Sequence, residues 1–184
     1  MKMILYTLLL ACLAAVAAGC DRESHLARAI EGCWEGPVTD ISATEHHRSA
    51  PWVTRSGDLK CRPILTFVKD EGANGGECTI EAVYMFHGRR LSAVASGSWV
   101  AQGDDAVLVT VNPLSVSILS PAAIADMPYS DDILSADGKP LTYEEVIRRN
   151  ILSIVKIYDI RIADGKMACE INDTDLRLRR KLSD

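Results

Sequence analysis

The 184-residue chain has few aromatic side chains, 5% of the total with only two phenylalanines, and no excess of basic ones, its formal charge being −5. Recognition of nucleic acid needs a net basic face that releases phosphate counterions, so nucleic acid is set aside as a partner. No pair of cysteines stands at CxxC spacing and no HxxxH accompanies them, so no metal site is expected. No serine sits in a G-x-S-x-G elbow. The glycine-rich DEGANGG of Asp70–Gly76 lacks the lysine and the strand-to-helix setting of a phosphate loop, and reads as a hairpin turn. With no catalytic constellation and no cofactor motif, the expectation is a protein that is not an enzyme and carries no cofactor. Internal repeats and linkers are missing too, which points to one domain.

The longest apolar run is at the start. Lys2 supplies a short cationic segment, Met3 to Ala18 is almost unbroken hydrophobe, and Ala17-Ala18-Gly19 places small residues before Cys20. This is the three-part layout of a secretory signal, and the run falls short of the ~20 apolar residues of a spanning helix. The ending Ala17-Ala18-Gly19-Cys20 resembles the lipobox of bacterial lipoproteins, with alanine where leucine is commonest. The resemblance implies cleavage before Cys20, a diacylglycerol thioether on its sulfur and an acyl chain such as palmitate on the new amino terminus. Each buried methylene contributes about 0.8 kcal/mol, so three chains hold the protein on the membrane. Asp21 resembles an inner-membrane retention signal and also suits the first turn of a helix. The expected layout is a signal peptide at 1–19, a lipidated tether with a short helix at 20–31, and a β domain at 32–184. The expected location is the cell envelope, facing the periplasm.

Cys12 leaves with the signal and Cys20 is taken by lipid, which leaves Cys33, Cys61, Cys78 and Cys169. Four cysteines in an exported domain predict two disulfides, with three possible connectivities.

Along the body, DRESHLARAIEG puts Leu26, Ala29 and Ile30 on one helical face and ends at Gly32. The period then shortens to two. CRPILTFVKD, CTIEAVYMFHG, LSAVASGSWVAQG and DAVLVTVNP read as consecutive antiparallel strands, and LSVSIL adds a shorter one with Leu114, Val116 and Ile118 on one face. Residues 122–140 show no period and read as a long crossing loop. Thr142 is an N-cap, Glu144 and Glu145 follow in the first turn, and Val146, Ile147, Asn150, Ile151 and Ile154 form a helical stripe to about Val155. Period two returns in the terminal segment, with a turn at ADGK and alternation through Leu176, Arg177, Leu178 and Arg179. The fold class expected is mainly β, an antiparallel β-barrel or a β-sandwich with one or two helices, and closure is favoured because it removes exposed edges.

Gly32-Cys33-Trp34, after a short helix and at the start of the first strand, resembles the glycine-any-tryptophan signature of lipocalins and lipocalin-like bacterial lipoproteins. The resemblance implies that Trp34 closes the base of the barrel with an arginine of the last strand, Arg177 or Arg179, across it. It also implies a small apolar ligand inside, and alternation offers Val83, Met85, Val94 and Trp99 as cavity-side residues. The strand layout bears on the cysteines as well. If Cys61 and Cys78 open successive strands of a hairpin they lie at opposite ends of it, and Cys33 is kept from Cys61 in the same way, which leaves Cys33–Cys78 with Cys61–Cys169.

Other polar groupings read as solvated. Thr44–Arg48, TEHHR, has adjacent His46 and His47 without a third ligand; Asp104-Asp105 and Asp131-Asp132 suit turns. The terminal RLRRKLSD is a basic run on an acidic protein. It is either an exposed strand face or a contact for anionic headgroups, each cation then contributing about 1 kcal/mol. Two functions follow from the whole: a membrane-anchored barrel that binds a small apolar ligand, or a solid-cored module that binds an envelope protein as inhibitor, chaperone or assembly partner.

Overall fold

The computed structural model describes residues 22–40, 60–86, 88–129 and 138–181. Cys20 and the lipobox resemblance, the TEHHR loop and Asp131-Asp132 lie outside the described residues. The order is helix α1 (22–30), β1 (Gly32–Glu35), β2 (Thr39–Asp40), β3 (Lys60–Lys69), β4 (Gly75–Phe86), β5 (Arg89–Gln102), β6 (Ala106–Val111), a 3-10 turn (Pro113–Ser115) and β7 (Ser117–Ile118). There follow α2 (Ala122–Ala125), α3 (Tyr143–Leu152), β8 (Lys156–Ala163), β9 (Lys166–Ile171) and β10 (Thr174–Arg180).

Every pairing between these strands is antiparallel. Passing through β3, β4, β5, β6, β8, β9 and β10, the sheet returns to β1, which pairs with both β10 and β3. The result is a closed eight-stranded barrel in up-and-down order, with β2 and β7 as short extensions alongside β3 and β5. Two of its hairpins are set by their turns. Asp164-Gly165 and Asn172-Asp173 hold φ of 50°, 67°, 49° and 58°, the left-handed pair that matches strand twist in two-residue hairpins.

Strand β5 is too long for one partner: its end pairs with β6 over Gly97–Gln102, and Ala93-Val94 pair with β7. The change comes at Gly97, where an added Cβ would stand 2.3 Å from the Thr110 carbonyl oxygen, so only glycine lets the two backbones meet. LSVSIL accordingly forms only the two-residue strand β7, and its Leu114, Val116 and Ile118 do not share one buried face. Asn112 caps the 3-10 turn through its side chain, Leu114 is left almost fully exposed, and Val116 alone of that segment is buried.

Two apolar clusters result. The first fills the barrel, and α1 closes one end of it with Leu26, Ala27 and Ile30. The expected face included Ala29; Ala27 takes its place. The second lies under α3, where Val146, Ile147 and Ile151 join Ala82, Ala93 and Ala95 of the strands. Thr142 and Glu145 form a reciprocal capping box at the start of α3, which satisfies two orphan N–H groups. The scarce aromatics gather here: Phe86 lies 4.8 Å from Tyr143, 5.6 Å from Tyr129 and 5.9 Å from Tyr84 between ring centroids.

Closure at β1 depends on Trp34, which is fully buried. Its Nε1–H donates to the Ile30 carbonyl at 2.6 Å, tying α1 to β1. The cation over its ring is neither Arg177 nor Arg179 but Arg180, 4.7 Å from the ring. Register explains the correction: Arg180 stands directly opposite Trp34 in the β1–β10 pair, whereas Arg177 and Arg179 point outward from β10. Arg180 also donates from Nη2 to the Ala29 carbonyl at 2.8 Å.

The expected disulfides are not formed, and all four cysteines are free thiols. Cys33 stands next to inward-facing Trp34 and so points out, while Cys78 points in. Strand β3 runs between them, a separation of about 9.5 Å against the roughly 6 Å a disulfide spans. Cys61 and Cys169 belong to different clusters of the core.

In urea melts, Arg180→Leu is expected to cost about 1–2 kcal/mol through loss of the cation–π contact and the bond to Ala29. Arg177→Leu and Arg179→Leu should each change stability by under about 0.5 kcal/mol. Trp34→Ala should cost about 3–5 kcal/mol.

Candidate functional site

The interior is the place to look for a ligand. Strand alternation decides which side chains line it. On β4 the inward set is Cys78, Ile80, Ala82, Tyr84 and Phe86; on β5 it is Leu91, Ala93, Ala95, Trp99 and Ala101. Val83, Met85 and Val94, expected to face a cavity, are half-buried on the opposite face. Period two explains the correction, because Val94 and Trp99 lie five residues apart and cannot share a face of one strand. Ser92, Ser96 and Ser98 share Val94's face and were the signal for it. Trp99 does point in, but it packs edge-on against Phe67 at 5.6 Å and donates from Nε1 to the Val68 carbonyl at 3.2 Å.

An apolar opening does exist under α3, with a volume of about 70 Å³. Cys61 and Leu65 of β3, Ile80 and Tyr84 of β4, and Leu176 of β10 form its wall, and Asn150 and Ile154 cover it. Asn150, Asn172 and Thr174 add polar groups to its lining, and the Tyr84 hydroxyl donates to Asn150 Oδ1 at 2.7 Å. Burial, reinforced by the neighbouring Cys61, pushes the Tyr84 phenol up well above its usual range and keeps it a hydrogen-bond donor.

Burial acts on the thiols in the same direction. Cys61 is pushed up to about 12, Cys78 to about 11, and Cys169 to about 12, the last with help from the Asp175 carboxylate. A thiolate is the reactive form, so these three are inert side chains of the core rather than nucleophiles. Among the described residues, no group of three or more His, Cys, Asp or Glu side chains is arranged to hold a metal ion.

Fold and site together define the class: a small, closed, up-and-down antiparallel barrel, plugged by a helix at each end. Compared with protein-family models, curated proteins and solved structures, the chain matches none.

On a native sample, a thiol-specific disulfide reagent is expected to leave Cys61, Cys78 and Cys169 unmodified until denaturant is added, and reduction should leave the mass of the protein unchanged. Stability should also fall at alkaline pH. Unfolded thiols ionise near 9.0, whereas the folded ones hold their protons to about 11–12, so the stabilisation is complete below pH 9 and is lost progressively as the pH rises from 9 through about 11–12. Replacing the three buried cysteines by alanine should flatten that alkaline fall in urea melts at pH 8 and pH 10.5.

Proposed function

We propose that this chain is a lipid-anchored, non-catalytic barrel of the bacterial cell envelope that works by contacting another envelope protein. The observation that carries the reading is the filled interior. Helix α3 occupies the space that the small inward residues Ala82, Ala93 and Ala95 leave, and the remaining opening is about 70 Å³. Sites for small-molecule ligands begin at roughly 300 Å³. The outer wall supports the same reading. Val100 and Leu108 are directly opposed on β5 and β6 and both exposed. Apolar side chains grouped on a solvated wall mark surfaces that other proteins cover.

The second reading, a small apolar ligand, is supported by the opening beside Tyr84 and Asn150, which has room for a short aliphatic group and a polar pair to orient it.

Titration with a fluorescent fatty acid separates the two, and no saturable binding is expected. Micromolar binding that Ala82→Phe abolishes would replace the protein-contact reading by the ligand one. The anchor is tested by the intact mass of the protein from bacterial membranes. The mass should begin at Cys20 and include diacylglycerol and an acyl chain, and a Cys20→Ala version should lack them. A photo-crosslinker placed at Leu108 should give discrete protein adducts in the envelope, and one placed at exposed Glu77 should not.

A further inference from the structure

An open groove of about 450 Å³ lies on the outside of the closure. It lies where β1 parts from β10 beyond Glu35, and Gly36 and Pro37 help to line it. Arg62, Arg177, Arg179, Arg180 and Lys181 line it, five cations against the single carboxylate of Glu35. That carboxylate is taken: it forms an ion pair with Arg62, although Arg179 is its direct neighbour across the β1–β10 pair. No ion pair is formed by Arg177, Arg179 or Lys181 among the described residues.

Two of these cations, Arg62 and Arg180, have their guanidinium groups held in place. Arg180 is fixed by the Trp34 ring and the Ala29 carbonyl, Arg62 by Glu35, and the backbone at Lys181 by its N–H bond to the Cys33 carbonyl at 2.8 Å. Arg177 and Arg179 project from one face of β10 with alpha carbons about 6.7 Å apart, a spacing that lets both forks reach one compact anion. A second depression, of about 220 Å³, shares Arg177, but there Asp159 and Asp175 balance it and Arg161. The excess of positive charge therefore belongs to the groove, on a chain whose net charge is −5.

We propose that this groove binds a phosphate-bearing anion. Guanidinium forks match the paired oxygens of phosphate, and this excess of cations exceeds what a single carboxylate would neutralise. The same chemistry is offered by a soluble phosphate compound and by the headgroup of an anionic phospholipid.

The test uses the full chain in neutral detergent micelles, with the arginine Nε–H signals followed by NMR as pyrophosphate is added. Saturable shifts of Arg177, Arg179 and Arg180 are expected, and they should weaken as ionic strength rises. Arg177→Gln with Arg179→Gln should weaken binding tenfold or more while leaving thermal unfolding in place, since both side chains are exposed. A parallel sample with phosphatidylglycerol doped into the micelles identifies the source. If the doped lipid moves the same signals and competes with pyrophosphate, the ligand is a headgroup; if only pyrophosphate moves them, it is a soluble phosphate. The proposal is overturned by an absence of saturable shifts, by shifts that persist unchanged in the double variant, or by tetraglutamate binding at lower concentration than pyrophosphate.

Discussion

The indole of Trp34 stands where the first strand, the last strand and the N-terminal helix meet, and the barrel closes around it. Its N–H is used by the carbonyl of Ile30 and its face by the guanidinium of Arg180, which in turn reaches the carbonyl of Ala29. Those two carbonyls belong to the end of α1, where a helix leaves its last carbonyls without partners inside the helix. One aromatic ring and one cation therefore satisfy the helix end and hold β1 beside β10. The strand pairing there is brief, Trp34 with Arg180 and Glu35 with Arg179, so side-chain contacts supply much of what a longer ladder would give.

At the other end a different constraint operates. The inward residues of β4 and β5 under α3 are small, and the helix lies in the room they leave. Alanine on a strand ordinarily forfeits packing, but here Ala82, Ala93 and Ala95 share one apolar cluster with Val146, Ile147 and Ile151 of α3. The same exchange explains why a barrel of ordinary strand number has so little empty volume. What an open-mouthed barrel offers to a ligand, this chain fills with its own helix.

Much of the fold was legible in the sequence because its signals are local. Strands β3 to β6 follow runs of β-branched residues between turns, and α3 follows Thr142 and Glu145, whose side chains do the capping that their spacing implies. What was not legible depends on register and on which face is inward. Both faces of β4 near Val83–Phe86 are apolar, so composition alone does not say that Tyr84 and Phe86 turn in while Val83 and Met85 turn out. The arginine over Trp34 is Arg180, which shares the inward face of Leu176 and Leu178, but only the β1–β10 register shows that it stands opposite Trp34. The cysteines were not legible for a similar reason: distances along hairpins do not reveal that Cys33 and Cys78 sit on opposite faces of the sheet. The groove drew on residues from β1, β3 and the end of β10, far apart in sequence, and only the RLRRK cluster hinted at it.

The link between α1 and the closure also determines how the protein carries mechanical load. A pull applied ahead of residue 22 runs through the backbone of the helix into β1, and the carbonyls of Ile30 and Ala29, bonded to side chains of the first and the last strand, pass part of it to both. The tension is thus divided between the two strands that meet at the seam, and it does not act on one of them alone. Peeling a single strand breaks hydrogen bonds one after another, whereas loading both at once requires them to give way together. The N-terminal helix is thus joined to both of the strands that meet at the seam.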